Sequence, residues 1–124
     1  MFRLLANPTE KTKRLTQREQ EEDRPPRDKS RRVCYRGEEL QLAWLERKAE
    51  QAGFRVDSIM ATSAGIIRAY RTRAPDEKPM VFYGVRFDGV LQVVAPELLV
   101  KAVEQGIGSA KGFGFGLLSI ARCN

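Results

Sequence analysis

Histidine is absent from this 124-residue sequence. Its absence removes the side chain that most often serves as a general base near neutral pH and most often binds zinc. Cysteine occurs twice, as Cys34 and Cys123, without metal-ligand spacing. The pair supports neither a zinc site nor a disulfide framework, and both are expected as reduced thiols in a cytoplasmic protein. No metal or cofactor is expected. No apolar run approaches the roughly 18 residues of a membrane span, and Met1-Phe2-Arg3 lacks the long apolar region of a signal peptide. The length suits one domain, large enough to build a core without disulfides or metal.

What the chain does carry is positive charge, unevenly spread. Of 22 Lys/Arg and 16 Asp/Glu, residues 1–36 hold 11 and 6, so nearly all of the net +6 falls in that segment. Residues 9–36 are polar, almost free of aliphatics and interrupted by Pro25-Pro26. Such a segment buries too little apolar surface to offset its ordering entropy, so a disordered basic loop is expected. Only Thr16 and the Gln-Arg-Glu-Gln-Glu-Glu after it offer a helical turn or two. The loop is either an arm drawn to polyanions or merely solvated.

The remainder alternates strand and helix patterns. A short apolar strand over 2–6 ends at Pro8. A helix over 38–52 is predicted from Leu42, Leu45, Ala49 and Ala52, which share one face, with Glu38 and Glu39 at its start and Gly53 at its stop. Leu40 and Trp44 form a second stripe, which either closes the edge of the core or docks a partner. Two long β-branched and aromatic strands follow over 56–73 and 80–94, with a turn at 74–79 and a bulge at Gly65. Asp88-Gly89 is a hairpin signal on its own, but a bulge within one continuous strand is favoured. Arg68, Arg71, Arg73 and Lys78 gather towards the turn, as a nucleic-acid contact or as charged edge protection. A second helix over 96–105 begins at Pro96 and stops at Gly106, and a last strand runs over 114–121. The order is βαββαβ. It predicts a single α+β domain of ferredoxin-like (RRM-like) type, with helices on one face of an antiparallel sheet. That fold serves RNA binding, metabolite binding and dimerisation alike, and does not choose among them.

The most informative stretch is 106–122, where Gly106, Gly108, Gly112, Gly114 and Gly116 fall within eleven residues and enclose Ser109 and Lys111. Glycine lets a backbone or a phosphate approach closely, so the stretch is a candidate anion-binding loop, or else a tight connection with no ligand. It is not a Walker loop, because Lys111 follows Ala110. It is not a dinucleotide fingerprint, because a helix rather than a strand precedes it. Lys111-Gly112-Phe113-Gly114-Phe115 matches the first five positions of an RNP1 signature, which then continues differently.

The spacing is more specific. Gly-Ile-Gly, five residues, then Gly-Phe-Gly resembles the glycine-rich loop of the repeat-associated RNA-binding proteins of CRISPR systems. The string from Gly106 through Lys111, with Gly116-Leu117-Leu118-Ser119-Ile120-Ala121, resembles the C-terminal signature of the CasE family. These are the CRISPR RNA endoribonucleases of the type I-E Cascade complex. Phe2-Arg3-Leu4-Leu5-Ala6-Asn7-Pro8, Gln41-Leu42-Ala43-Trp44-Leu45 and Phe87-Asp88-Gly89-Val90-Leu91 fit the same family in order, with Ser109 where proline is common. The resemblance spans the chain but only the C-terminal half of the family's usual length, so the family's N-terminal ferredoxin-like domain is expected to be absent.

The resemblance implies binding of the CRISPR repeat stem-loop and cleavage at its 3′ base without metal, with the product then retained within Cascade. Expected partners are repeat hairpin RNA, other Cascade subunits, and an N-terminal CasE domain or a second copy meeting the Leu40/Trp44 stripe. The expected RNA contacts are Gly106, Gly108, Ser109, Lys111, Gly112, Gly114 and Gly116, with Arg68, Arg71, Arg73 and Lys78. The family's catalytic His and Tyr precede the segment matching Phe2–Ala6, so no catalytic residue is expected here. Two other readings remain open on the residues: a metal-independent ribonuclease complete in itself, and a ligand-binding or dimerising regulatory domain.

Overall fold

Alternation in the first strand sets the layers of the computed structural model, which describes residues 1–70 and 78–123. In β1 (Phe2–Ala6), Phe2, Leu4 and Ala6 are buried, while Arg3 turns to the opposite face. The strand is central in a four-stranded antiparallel sheet. Its neighbours are β5 (Met80–Val93), with Leu4 opposite Phe87, and β6 (Leu118–Ile120), with Leu4 opposite Leu118. β4 (Phe54–Ala69) pairs the outer side of β5, giving the order β4-β5-β1-β6. This is the ferredoxin-like arrangement that the element order predicts.

Two helices cover the buried face. α2 (Glu38–Gln51) contributes Trp44, Leu45 and Ala49, and α3 (Pro96–Gln105) contributes Ala102. They meet Phe2, Leu4, Val85, Phe87 and Leu118 from the strands in one core. The bounds of α3 coincide with the prediction, because Pro96 preorganises the first turn and Gly106, at φ 79°, lets the chain turn out of the helix. Gly53 works differently. Its carbonyl accepts from Val94 N and Ala95 N at 2.8 and 2.9 Å, tying the end of α2 to the start of α3.

The Leu40/Trp44 stripe does not form a docking face. Trp44 is 3% exposed and its ring lies nearly parallel to Phe87, with centroids 6.2 Å apart and planes at 16°, while Leu40 alone faces solvent. The indole fits because Gly108 leaves room for it: a Cβ there would stand 2.9 Å from the ring. The core-edge alternative is the correct one, and association through Trp44 is closed off.

Residues 9–36 also differ from expectation. β2 (Thr9–Thr12) pairs β3 (Arg31–Cys34) as a two-stranded antiparallel ladder, and α1 (Gln17–Glu21) lies between them. Composition predicts disorder from the lack of apolar burial, but here the order comes from polar pairing. Thr16 and Glu19 cap α1 reciprocally, and Arg27 pairs with Glu19. Thr16's backbone N–H, ahead of the smaller effects of its hydroxyl and Arg27, holds the Glu19 carboxyl below the usual carboxylate range. Tyr35 N donates to Pro8 O at 2.9 Å and closes the excursion back onto the end of β1.

β5 runs unbroken through Asp88-Gly89, as favoured, but the bulge lies across the ladder. Val56 opposes Leu91 and Ser58 opposes Val90, so Asp57 is the extra residue of β4. Gly89 is the partner that makes room, since a Cβ on it would overlap the Ser58 carbonyl oxygen. The bulge expected at Gly65 is present, with Ala64 as the extra residue and Gly65 at φ 80°. The last strand is shorter than predicted. Gly114 and Gly116, at φ 90° and 93°, hold the chain out of extended geometry until Leu118, and Lys111–Phe113 form one 3-10 turn. Cys34 and Cys123 are both free thiols.

Candidate nucleic-acid interface

The glycines of the loop divide into those that build it and those that present it. Ile107 N donates to Gly116 O at 2.8 Å, and Gly116 N donates to Leu5 O at 2.7 Å, so the neck is stitched to itself and to β1. The two sides of the neck touch. A Cβ on Gly116 would lie 2.7 Å from Ile107 O, and one on Gly106 would lie 3.0 Å from Gly116 O. Gly108 rests on Trp44. By contrast, a Cβ on Gly112 or Gly114 would meet nothing within 4 Å, so both face open space. Gly106, Gly108 and Gly116 therefore shape the neck, and Gly112 and Gly114 form the accessible tip.

Ser109 is an anchor. Its Oγ accepts from Asn7 Nδ2 at 3.3 Å, lies 3.1 Å from Thr9 Oγ1, and is within 3.2 Å of the Asn7 carbonyl oxygen. Asn7 is itself 4% exposed, and its Oδ1 accepts from Cys34 Sγ at 3.6 Å. A buried amide needs such partners, and these tie the loop to the end of β1 and to the β2–β3 ladder.

Lys111 is exposed, its stem lying along the glycine neck beside Gly106 and Gly116. With Lys48 of α2 and Lys101 of α3 it lines a cleft of about 320 Å³, together with Gln51 and Gln105 and with no carboxylate among the described residues. Lys48 and Lys101 lie 53 residues apart in sequence, on helices whose outer positions look merely solvated, so no local pattern announces them.

The basic hairpin is a separate region. Arg68 is exposed on β4 opposite Val81, and Lys78 is exposed just before β5. Arg71 and Arg73 lie outside the described residues. Arg68 shares its face of the ribbon with Tyr83, whereas the loop reaches the ribbon from the other face, where Phe82 lies. Tyr83 carries an arginine that sequence reasoning missed: Arg36 stacks 4.8 Å from its ring centroid and donates to its hydroxyl at 2.9 Å.

The face of the sheet away from the helices holds a second missed group. Arg3 and Arg86 donate to the two carboxylate oxygens of Asp88, at 2.5 and 2.9 Å. The Arg3 hydrogen bond, reinforced by both guanidinium charges and opposed only by burial, keeps the Asp88 carboxyl below its ordinary range. Strand parity was the available signal, since residues 3, 86 and 88 all alternate away from the core.

The domain thus carries a lysine at its glycine loop, a lysine-lined cleft and an arginine-bearing ribbon. The family model described as "CRISPR associated protein" matches residues 1–122. The chain belongs to this CRISPR-associated protein family. Among its curated relatives, the CRISPR-associated endoribonuclease Cse3 of Thermus thermophilus is 31% identical over 97% of this chain and 54% of its own length. The Cascade subunit CasE of Escherichia coli K12 is 35% identical over 97% of this chain and 56% of its own. In three dimensions, Cse3 bound to a 19-nucleotide RNA matches with a TM-score of 0.74 at 30% identity, over 98% of this chain and 55% of that one. This CRISPR-associated chain thus spans about half the length of the curated relatives it matches. Among its described residues, no helix is long and apolar enough to cross a membrane.

Proposed function

We propose that this chain binds the stem-loop RNA of CRISPR repeats, as the C-terminal half of a CasE-type RNA-processing endoribonuclease acting in the cytoplasm within a Cascade assembly. The observation that carries this reading is the match, over nearly the whole chain, to Cse3 bound to RNA, joined to a loop that exposes the run from Lys111 to Gly114. Duplex RNA is recognised mainly through its shape, phosphates and 2′-hydroxyls. Lys111 supplies a phosphate contact, Gly112 and Gly114 a close backbone approach, and the ribbon bearing Arg68 and Lys78, with Arg71 and Arg73 next to it in sequence, a groove contact.

Replacing Lys111 with Ala lowers hairpin-RNA affinity about equally for all sequences and reduces the salt slope by about one unit. Gly114→Val weakens binding by filling the approach and straining a left-handed position, φ 90°. Electrophoretic mobility shifts across a salt series measure both. Parental affinity and slope in both variants would show that the loop only connects α3 to β6.

The same reading expects binding without cutting. Metal-free RNA cleavage needs a base for the 2′-hydroxyl proton and an acid for the leaving oxygen, each best matched near the working pH. The chain has no histidine, and tyrosine and lysine ordinarily titrate near roughly 10. Incubating labelled repeat hairpin with the pure chain in EDTA leaves the RNA intact. Specific cleavage that survives stringent purification would make the chain a nuclease in its own right.

A further inference from the structure

The RNP1-like string Lys111-Gly112-Phe113-Gly114-Phe115 is only partly used by phosphate binding, and its two aromatic rings are placed with care. Phe115 is 3% exposed and lies against Gly84, where a Cβ would meet its ring at 3.2 Å. Phe82 packs on it with centroids 5.7 Å apart, and Phe113 packs on Phe82 at 5.0 Å with the planes at 34°. The three rings form a graded stack on the sheet face opposite the helices, buried at Phe115 and 48% exposed at Phe113. Phe113 takes no part in the main core.

The stack also has a fixed mount. Phe113 ends a 3-10 turn that begins at Lys111 and is bracketed by two left-handed residues, Ala110 at φ 61° and Gly114 at φ 90°. Alanine in that conformation costs about 1 kcal/mol or more, so the turn is held in place by its surroundings. It presents an exposed ring and an exposed cation two residues apart. An exposed aromatic face on a cationic protein surface is what successive bases of single-stranded nucleic acid stack on. Bases inside a duplex are already stacked on their neighbours and cannot use it.

We propose that Phe113, backed by Phe82 and Phe115, is a stacking site for one unpaired RNA base. The proposal rests on the hairpin-RNA reading above and extends it to nucleotides outside the stem. The chain therefore contacts the single-stranded part of a repeat as well as its duplex.

The test compares a blunt RNA hairpin, its loop bases held in a structured tetraloop, with the same hairpin carrying about five unpaired nucleotides on each side. Each flanked RNA is made intact and with single abasic nucleotides scanned along the flanks. Binding of the blunt hairpin by the parent chain tests the underlying reading alone, and failure to bind either RNA overturns both proposals. Phe113→Leu keeps an apolar side chain on Phe82 but removes the ring. It should leave blunt-hairpin affinity unchanged and lower flanked-hairpin affinity about tenfold, the usual scale of one base–aromatic stack. One abasic position should produce the same loss in the parent and no further loss in Phe113→Leu. Phe113→Trp should keep or strengthen flanked binding, which separates lost stacking from a disturbed loop. Equal losses on both RNAs, no loss on either, or additive effects of variant and abasic site at every position would each overturn the proposal.

Discussion

Gly89→Val should unfold the chain, or cost it about 3 kcal/mol or more. The added carbon would overlap the Ser58 carbonyl oxygen and stand 3.0 and 3.1 Å from the Ser58 carbonyl carbon and Ile59 Cα, all backbone atoms of the neighbouring strand. Backbone cannot rotate out of the way as a side chain does. Nor can β5 move sideways, because Gly89 is paired on its other edge with Phe2 of β1. Overpacking a well-formed core ordinarily costs about 1–3 kcal/mol with repacking available, and here repacking is blocked. Since domains of this kind have only about 5–15 kcal/mol in total, the loss is readily seen in urea denaturation. Gly112→Val is the control, as its added atoms enter open space and the change should stay within about 1 kcal/mol. A Gly89→Val chain as stable as that control would mean that the Asp57 bulge yields, and that the β4–β5 register is softer than described.

Affinity for hairpin RNA should fall between about 100-fold and 1,000-fold as salt rises from roughly 50 to 200 mM. Each neutralised phosphate contributes about 0.9 to the logarithmic salt slope on duplex nucleic acid, and about five contacts give a loss of that size over a fourfold change in salt. The candidates are Arg68, Lys78, Lys111, Lys48 and Lys101, carried on the ribbon, the loop and the two helices. Fluorescence anisotropy with a labelled hairpin across a salt series gives the slope directly. A slope below about two would mean that the cationic positions are spread over surfaces the RNA does not reach together.

The readable and unreadable parts of this fold separate on physical grounds. The ends of α3 were legible because Pro96 and Gly106 act through their own backbone preferences. The long ribbon was legible because β-branched and aromatic residues recur through it and Gly65 marks its bulge. The ordering of residues 9–36 was not, because it depends on ladder hydrogen bonds between the two ends of the segment, Thr9–Thr12 and Arg31–Cys34. The glycine loop was visible as a loop, yet its division into neck and tip was not. Gly108 and Gly112 look alike in sequence, but Gly108 lies on Trp44 at φ 87° while Gly112 faces open space. The anchoring of Ser109 was hidden for the same reason, since its partner Asn7 is remote in the chain. Lys48, Lys101 and Phe82 reach the site only through tertiary packing.

Trp44 is the single tryptophan of the chain, and its ring is the surface on which Gly108 rests. The protein therefore carries its own optical probe beneath the glycine loop. While the loop is seated, the indole emits from an apolar enclosure. Any lifting of the loop lets water onto the ring, and the emission moves to longer wavelength. Loop position, with and without RNA, can thus be followed in real time on the unlabelled chain.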